Sequence, residues 1–314
     1  MQFRLAKRTI HAVNDVSFTL AAGSVLGLVG ESGCGKSVTA LSLMGLLDAP
    51  GVVMGGPAIF QDEDGARDLL ALPAHEWERV RGRRIGMIFQ DPLTSLNPAL
   101  SVGYQIAEPL RVHFGLSRAA ARAQAADWMR RVGLDAARLD DYPHRFSGGM
   151  RQRVMIALAA ACRPRLLIAD EPTTALDVTI QAQILKLLRG LVRELGAAVI
   201  LITHDLGVVA QMADRVAVMY AGRIVEDAPV AQLFAAPQHP YTKALLAARP
   251  RLDQLTRRLQ AIAGAPPALD TDAPGCAFAP RCPLRLPVCD EKRPALAEIA
   301  PGHRAACYRM VNGE

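Results

Sequence analysis

Gly30-Glu31-Ser32-Gly33-Cys34-Gly35-Lys36-Ser37 follows the apolar run Val25-Leu26-Gly27-Leu28-Val29 and precedes Val38-Thr39-Ala40-Leu41-Ser42-Leu43-Met44. The run before it has strand length, and the stretch after it reads as the first turns of a helix. The pattern G-x-x-x-x-G-K-S between a strand and a helix is that of a phosphate-binding loop. Its glycines let backbone N–H groups approach phosphate oxygens with no Cβ in the way. The N–H groups from Gly30 and Ser32 through Val38, with the helix start, are expected to form an anion nest. Lys36 is expected to reach the β- and γ-phosphates, and the Ser37 hydroxyl to take one position on Mg²⁺. The competing reading is a glycine-rich turn with a chance Lys-Ser, and the strand and helix on either side argue against it.

The composition bounds what surrounds this loop. The chain has 314 residues, 51% of them hydrophobic, enough for a substantial core in one large or two modest domains. The longest apolar run, Val154–Cys162, is far short of a membrane span. Met1–Arg8 has no apolar signal core, so the expectation is a cytosolic chain, or one held at a membrane by a partner. Net charge is +6, densest at Arg79, Arg81, Arg83 and Arg84. No aromatic residues interleave with that cluster, which favours a solvated turn over a nucleic-acid surface.

In chain order, Ala12–Leu20 alternates loosely as a strand, and Ile85–Phe89 and Leu166–Ala169 read as buried strands. Helical spacing runs through 101–162, including Ser117–Val132 and Met150–Cys162. An amphipathic helix is predicted over 178–195, a strand at Ala198–Thr203, a helix at 206–213, and strands at Val216–Tyr220 and Arg223–Glu226. From about Ala236 prolines become frequent and four cysteines appear, which places a boundary there. Alternating strands and helices argue for an α/β fold with a parallel core sheet.

Leu166-Leu167-Ile168-Ala169-Asp170-Glu171 is an apolar strand ending in two carboxylates, delivered to the end of the sheet where ligands bind. Asp170 would hold Mg²⁺, and Glu171 would orient the attacking water. Ser147-Gly148-Gly149 stands before a helix and makes a second anion site. With these residues the sequence resembles the ABC ATPase family over nearly its whole length. Six elements stand in the family's order: Gly30–Ser37, Gln90, Ser147-Gly148-Gly149, Asp170-Glu171, Ala175-Leu176-Asp177 and His204. The resemblance implies a P-loop NTPase with a RecA-like core, an antiparallel β subdomain, a helical subdomain at about 91–160 and a small cysteine-containing C-terminal extension. The ATPase domain would cover 1–235 and the extension 236–314. It also implies that Gln90 senses the γ-phosphate and Mg²⁺, that His204 contacts the γ-phosphate, and that Asp177 sits at a subunit interface. Ser147–Gly149 would close over ATP bound to a partner chain. Phe3 is the candidate to stack on adenine, and the strand that the family places before that aromatic is missing.

A narrower resemblance, to the oligopeptide/dipeptide branch of ABC importers, rests on five stretches. They are Gly30–Gly33, Phe89–Pro92, Ser95–Pro98, Ile168–Val178 and His239-Pro240-Tyr241-Thr242. Met150 stands where most ABC proteins carry Gln, as in the branch's D-type subunits. This implies two membrane permeases, a second, F-type ATPase as heterodimer partner, and an extracytoplasmic solute-binding protein acting indirectly, with no nucleic acid. The location implied is peripheral, on the cytoplasmic face of the cell (inner) membrane. The branch also includes nickel and glutathione importers. A soluble ABC ATPase acting on nucleic acid or the ribosome would typically show two tandem cores or a long coiled coil, and neither is present.

Cys276, Cys282, Cys289 and Cys307 are spaced C-x5-C-x6-C-x17-C in a proline-rich segment. Cys34 and Cys162 sit within predicted core elements. A chain without an export signal disfavours disulfides, and unpaired buried cysteines are the plainest alternative. Zinc usually takes closer pairs, whereas four thiolates without close pairs suit a cubane iron–sulfur cluster. The extension also resembles the C-terminal domain of the importer branch, where four such cysteines can hold a 4Fe-4S cluster. The expectation is a structural 4Fe-4S site, with zinc as the alternative and His303 as a possible substitute ligand.

Overall fold

The computed structural model describes residues 1–5, 8–53, 55–174, 176–248, 262–270 and 274–311. The chain opens with β1 (Gln2–Leu5), β2 (Arg8–Ile10), β3 (Val25–Val29), α1 (Lys36–Leu43) and β4 (Gly51–Val52). Next come β5 (Ile59–Asp62), β6 (Gly65–Asp68), α2 (Ala74–Val80), β7 (Ile85–Ile88), α3 (Pro92–Ser95), α4 (Val102–Phe114), α5 (Arg118–Arg131) and α6 (Gly148–Ala160). Then follow β8 (Leu166–Asp170), α7 (Val178–Leu195), β9 (Ala198–Ile202), α8 (Leu206–Met212), β10 (Arg215–Tyr220), β11 (Arg223–Pro229), α9 (Val230–Ala235) and α10 (Pro240–Ala247). The chain closes with α11 (Val288–Glu291), β12 (Ala297–Ala300), β13 (His303–Ala305) and α12 (Tyr308–Val311).

These elements form two compact units. The first takes Met1–Thr19, Leu26–Gly56 and Thr203–Glu314. Within it β3 runs parallel to β10, and the antiparallel strands β11, β13 and β12 continue outward in that order. A separate antiparallel sheet has the order β2-β1-β4. The second unit takes Leu20–Val25 and Pro57–Ile202. Its strands β7, β8 and β9 pair in parallel, and β5 and β6 form an antiparallel hairpin. Every residue of β7, β8 and β9 is buried. Parallel strands covered on both faces read as unbroken apolar runs, which is why these were legible at once.

The helices follow their capping chemistry. Ser101 and Ser117 accept backbone N–H groups at the starts of α4 and α5, and Asp177 accepts the Ile180 N–H at 2.9 Å at the start of α7. The buried stripe of α7 is Ile184, Leu185, Leu188, Leu191 and Val192, the helical period expected of its sequence.

One expectation is corrected. Ala12–Leu20 is not a strand. Its backbone donors go to scattered acceptors, Val13 N–H to Met1 and Asn14 N–H to Gly222, so no ladder forms. The strand at Phe3 runs through this aromatic and does not precede it. Phe3 lies inside β1, opposite Ile10 of β2 and Gly51 of β4, and pairing on both edges holds this short strand. Ala175 of the loop 175–177 lies outside the described residues, as do residues 249–261 of the extension.

Leu28 of β3 is fully buried. Leu28→Ala is expected to destabilise the fold by about 2–5 kcal/mol, read as a lower urea midpoint with an unchanged slope.

Candidate functional site

In the first unit, Gly30–Ser37 connects β3 to α1. Gly35 sits at the helix start with φ 106°, and a Cβ there would lie 2.2 Å from the Ala12 carbonyl oxygen. No side chain caps this helix start, an end of the helix that favours an anion. Lys36 is only 6% exposed. Its Nζ donates to the Gly30 and Glu31 carbonyls at 2.9 and 3.0 Å and lies 3.7 Å from Cys34 Sγ. Burial pushes the Cys34 thiol up, and the Lys36 charge opposes that shift. Ser37 and Val38 are half-buried, while Ser32 and Gly33 face solvent. His204 is exposed just before α8. The turn around it is fixed by Thr203 Oγ1, which accepts the Asp205 N–H at 3.0 Å, and by Asp205, which accepts the Gly207 N–H at 2.7 Å. Phe3 is half-buried, and its ring closely approaches Gly51.

In the second unit, β7 and β8 are parallel neighbours with Ile88 opposite Ala169. Gln90 and Glu171, each two residues past that pair, therefore emerge at one end of the sheet. Gln90 Nε2 donates to Glu171 Oε2 at 3.0 Å, and Thr174 Oγ1 donates to the same oxygen at 2.8 Å. Glu171 has φ 47°, a left-handed conformation costing about 1–3 kcal/mol in a non-glycine residue. Its N–H donates to the Ile202 carbonyl at 2.8 Å, so β9 holds the turn in place. Asp170 is buried at the end of β8. Thr174 was not singled out from sequence. It stands in the stretch after the carboxylates, and only the turn at Glu171 brings it back to that side chain.

The same unit holds the glycine pair. Ser147 caps α6, accepting the Met150 N–H at 3.4 Å. Ser147, Gly148, Gly149 and Asp177 line an open hollow of about 670 Å³, with Arg138 and Arg153 on its wall. Asp177 is engaged as the cap of α7. Met150 lies beside Arg138, whose Nη1 is 3.8 Å from its sulfur.

Cys34 is buried in the loop, and Cys162 is buried in the turn after α6. Cys276, Cys282, Cys289 and Cys307 together line one small cavity of about 20 Å³. The Cys276 N–H donates to the Cys289 carbonyl at 2.7 Å. Gly275 permits that crossing, since a Cβ there would lie 2.4 Å from the same oxygen. Burial pushes the Cys276 thiol up to about 11, and Cys289 and Cys282 add to the shift. Burial also pushes the Cys282 thiol up; a cationic cofactor would hold such thiols as thiolates. Among the described residues no three His, Cys, Asp or Glu side chains converge on the position of a single ion. His303 is not among the lining residues. Its Nε2 lies 2.8 Å from Glu226 Oε1 inside the sheet, so that nitrogen is already committed to a buried carboxylate.

The ABC transporter family model matches residues 13–174, more than half of the chain. The chain belongs to the ABC transporter family. A second model, the C-terminal region of oligopeptide/dipeptide transporters, matches residues 225–289. The probable peptide ABC transporter ATP-binding protein y4tR of Sinorhizobium fredii is 55% identical, covering 95% of this chain and 89% of that protein. The oligopeptide transport ATP-binding protein OppD of Salmonella typhimurium is 51% identical over 96% of this chain and 89% of its own length. The Bacillus subtilis dipeptide transport ATP-binding protein DppD shows the same figures. Among solved structures, the dimeric ATP-binding cassette MJ0796 in a post-hydrolysis state with ADP and Pi is 26% identical. Its TM-score is 0.63, over 73% of this chain and 95% of that one. The fold is that of an ABC ATPase cassette, and members of this family hydrolyse ATP and work with membrane permeases. Among the described residues no helix is long and apolar enough to cross a membrane.

Gly35→Ala places a methyl group against backbone and is expected to abolish nucleotide binding. Mg-ATP should raise the melting temperature of the parent by mass action, and should leave that of the variant unmoved.

Proposed function

We propose that this chain is the ATP-hydrolysing subunit of an importer of di- and oligopeptides. The observation that carries the reading is Glu171, strained at φ 47° and oriented by Gln90 and Thr174, in a chain whose C-terminal part matches oligopeptide/dipeptide transporters. In this reading the domains are 1–235 and 236–314, with the helical subdomain at about 91–160.

Lys36 and the N–H groups of Gly30 and Ser32–Val38 bind the phosphates of ATP, and Phe3 takes the adenine. Ser37, Asp170 and Gln90 are the residues that would hold Mg²⁺, which neutralises developing charge on the phosphates. Glu171 accepts a hydrogen bond from the attacking water and orients it, with Gln90 and Thr174 keeping its carboxylate aimed. His204 donates to the γ-phosphate. Catalysis is positioning and charge stabilisation, so the strained turn at Glu171 is an arrangement made before the reaction. Ser147–Gly149 closes over the nucleotide of a partner ATPase of the F type, with Asp177 at the interface. The solved relatives are themselves dimeric cassettes. Two permeases hold the complex at the cytoplasmic face of the membrane. The exposed Phe89 and Leu93, near Gln90 in the chain, offer apolar surface for that docking.

The test is reconstitution with the permeases, the partner ATPase and the solute-binding protein. Peptide should stimulate ATP hydrolysis and uptake. Glu171→Gln should keep ATP binding while turnover falls by roughly 10²–10⁴-fold. A variant that hydrolyses and transports like the parent would overturn the role of Glu171.

We also propose that Cys276, Cys282, Cys289 and Cys307 hold a 4Fe-4S cluster with a structural role. Their shared, desolvated cavity supports this. Zinc, with four ligands about 2.3 Å from one ion, fits the separated donors less well. Anaerobically purified protein should contain iron and acid-labile sulfide in equal amounts, about four of each per chain. Stoichiometric zinc without sulfide would replace the cluster, and absence of any metal would remove the site.

A further inference from the structure

Arg281 immediately precedes Cys282, on the short turn Ala279–Arg281, and its side chain is only 4% exposed. Its guanidinium grips Glu31, the second residue of the phosphate loop, with both ends of the fork. Nη1 lies 2.7 Å from Glu31 Oε2, and Nη2 lies 3.0 Å from Oε1. The remaining donors are also used. Nη1 reaches Tyr220 Oη at 3.2 Å, Nε the Ala263 carbonyl at 3.0 Å and Nη2 the Ile262 carbonyl at 3.2 Å.

Glu31 is held through its backbone as well. Its N–H donates to Tyr241 Oη at 2.9 Å, and its carbonyl accepts from Lys36 Nζ at 3.0 Å. Phe278, on the same turn as Arg281, packs edge-on against Tyr220 at 5.3 Å between centroids and tilts against Tyr241 at 5.4 Å. Every atom of this arrangement belongs to the first unit.

We propose that Arg281 is a positioning residue of the nucleotide site. Through Glu31 it fixes the loop carbonyls that receive the Lys36 ammonium, and it thereby sets the affinity of the loop for the phosphates of ATP. The cysteine-bearing turn becomes part of the nucleotide-binding machinery without touching nucleotide. A bidentate guanidinium–carboxylate contact, with the guanidinium buried and the carboxylate half-buried, has the strength and directionality to do this, whereas a fully exposed ion pair would not. The proposal rests on the reading that Gly30–Ser37 holds the phosphates.

The experiment measures fluorescent ATP-analogue affinity and steady-state ATPase on the full chain, for parent, Arg281→Gln, Glu31→Gln, the double variant and Lys36→Ala. Arg281→Gln is expected to raise Kd and KM for ATP about tenfold, the scale of one lost charged hydrogen-bond pair, with kcat reduced no more than about twofold. Glu31→Gln should do the same. The double variant should be no worse than either single one, because both remove one interaction. Arg281→Lys, which keeps the charge and loses the fork, should fall between parent and Arg281→Gln. If Arg281→Gln proves unstable, the Glu31→Gln and Arg281→Lys arms still decide. Affinity equal to the parent's in Glu31→Gln overturns the proposal, as do multiplicative effects in the double variant. Lys36→Ala binding as tightly as the parent would instead overturn the loop reading beneath it.

Discussion

A buried ammonium organises the first unit. Lys36 is taken out of water and satisfied by two carbonyls of its own loop. Desolvating a charge is costly unless strong partners replace water, and neutral carbonyls replace it only in part. The remaining demand is for an anion, and the uncapped start of α1 adds N–H groups of the same preference. The electrostatics of the loop therefore favour an anion such as phosphate. Its shape depends on close backbone approaches, such as that of Gly35 to the Ala12 carbonyl, that leave no room for a side chain.

The second unit solves a different problem, the aiming of a carboxylate. Parallel pairing of β7 and β8 brings Gln90 and Glu171 out at one edge, and the left-handed turn at Glu171 lets Thr174 reach the same oxygen. Two donors on one carboxylate oxygen fix the orientation of that side chain. A backbone bond to β9 holds the strained turn, so the cost of its conformation is met on folding.

The C-terminal residues are woven into the first unit. Strand β13 extends the sheet beside β11, and His303 donates to Glu226, which also accepts the N–H groups of Gln238 and His239 at 2.7 and 2.8 Å. Burial pushes His239 down to about 4, so it stays neutral within this network. Phe278 joins Tyr220 and Tyr241 in an aromatic cluster beside the nucleotide loop. A segment poor in apolar periodicity is ordered here by a buried carboxylate, an aromatic contact and four clustered thiols.

The sequence alone determined the phosphate loop, the buried parallel strands, the amphipathic α7 and the family. Each is a local pattern whose period or glycine spacing admits few other structures. It also marked Gln90, Glu171 and the four cysteines as separate residues. What it could not carry was which side chains meet. Gln90 and Glu171 are 81 residues apart, and Glu31 and Arg281 are 250 apart. Their contact depends on strand register and chain crossing, which no local period encodes. The same holds for the errors. Ala12–Leu20 alternates like a strand but finds no neighbour to pair with, and His303 has the chemistry of a ligand but was claimed by Glu226 when β13 docked on β11. Local pattern decides what a segment is able to form, and tertiary pairing decides which donor each acceptor receives.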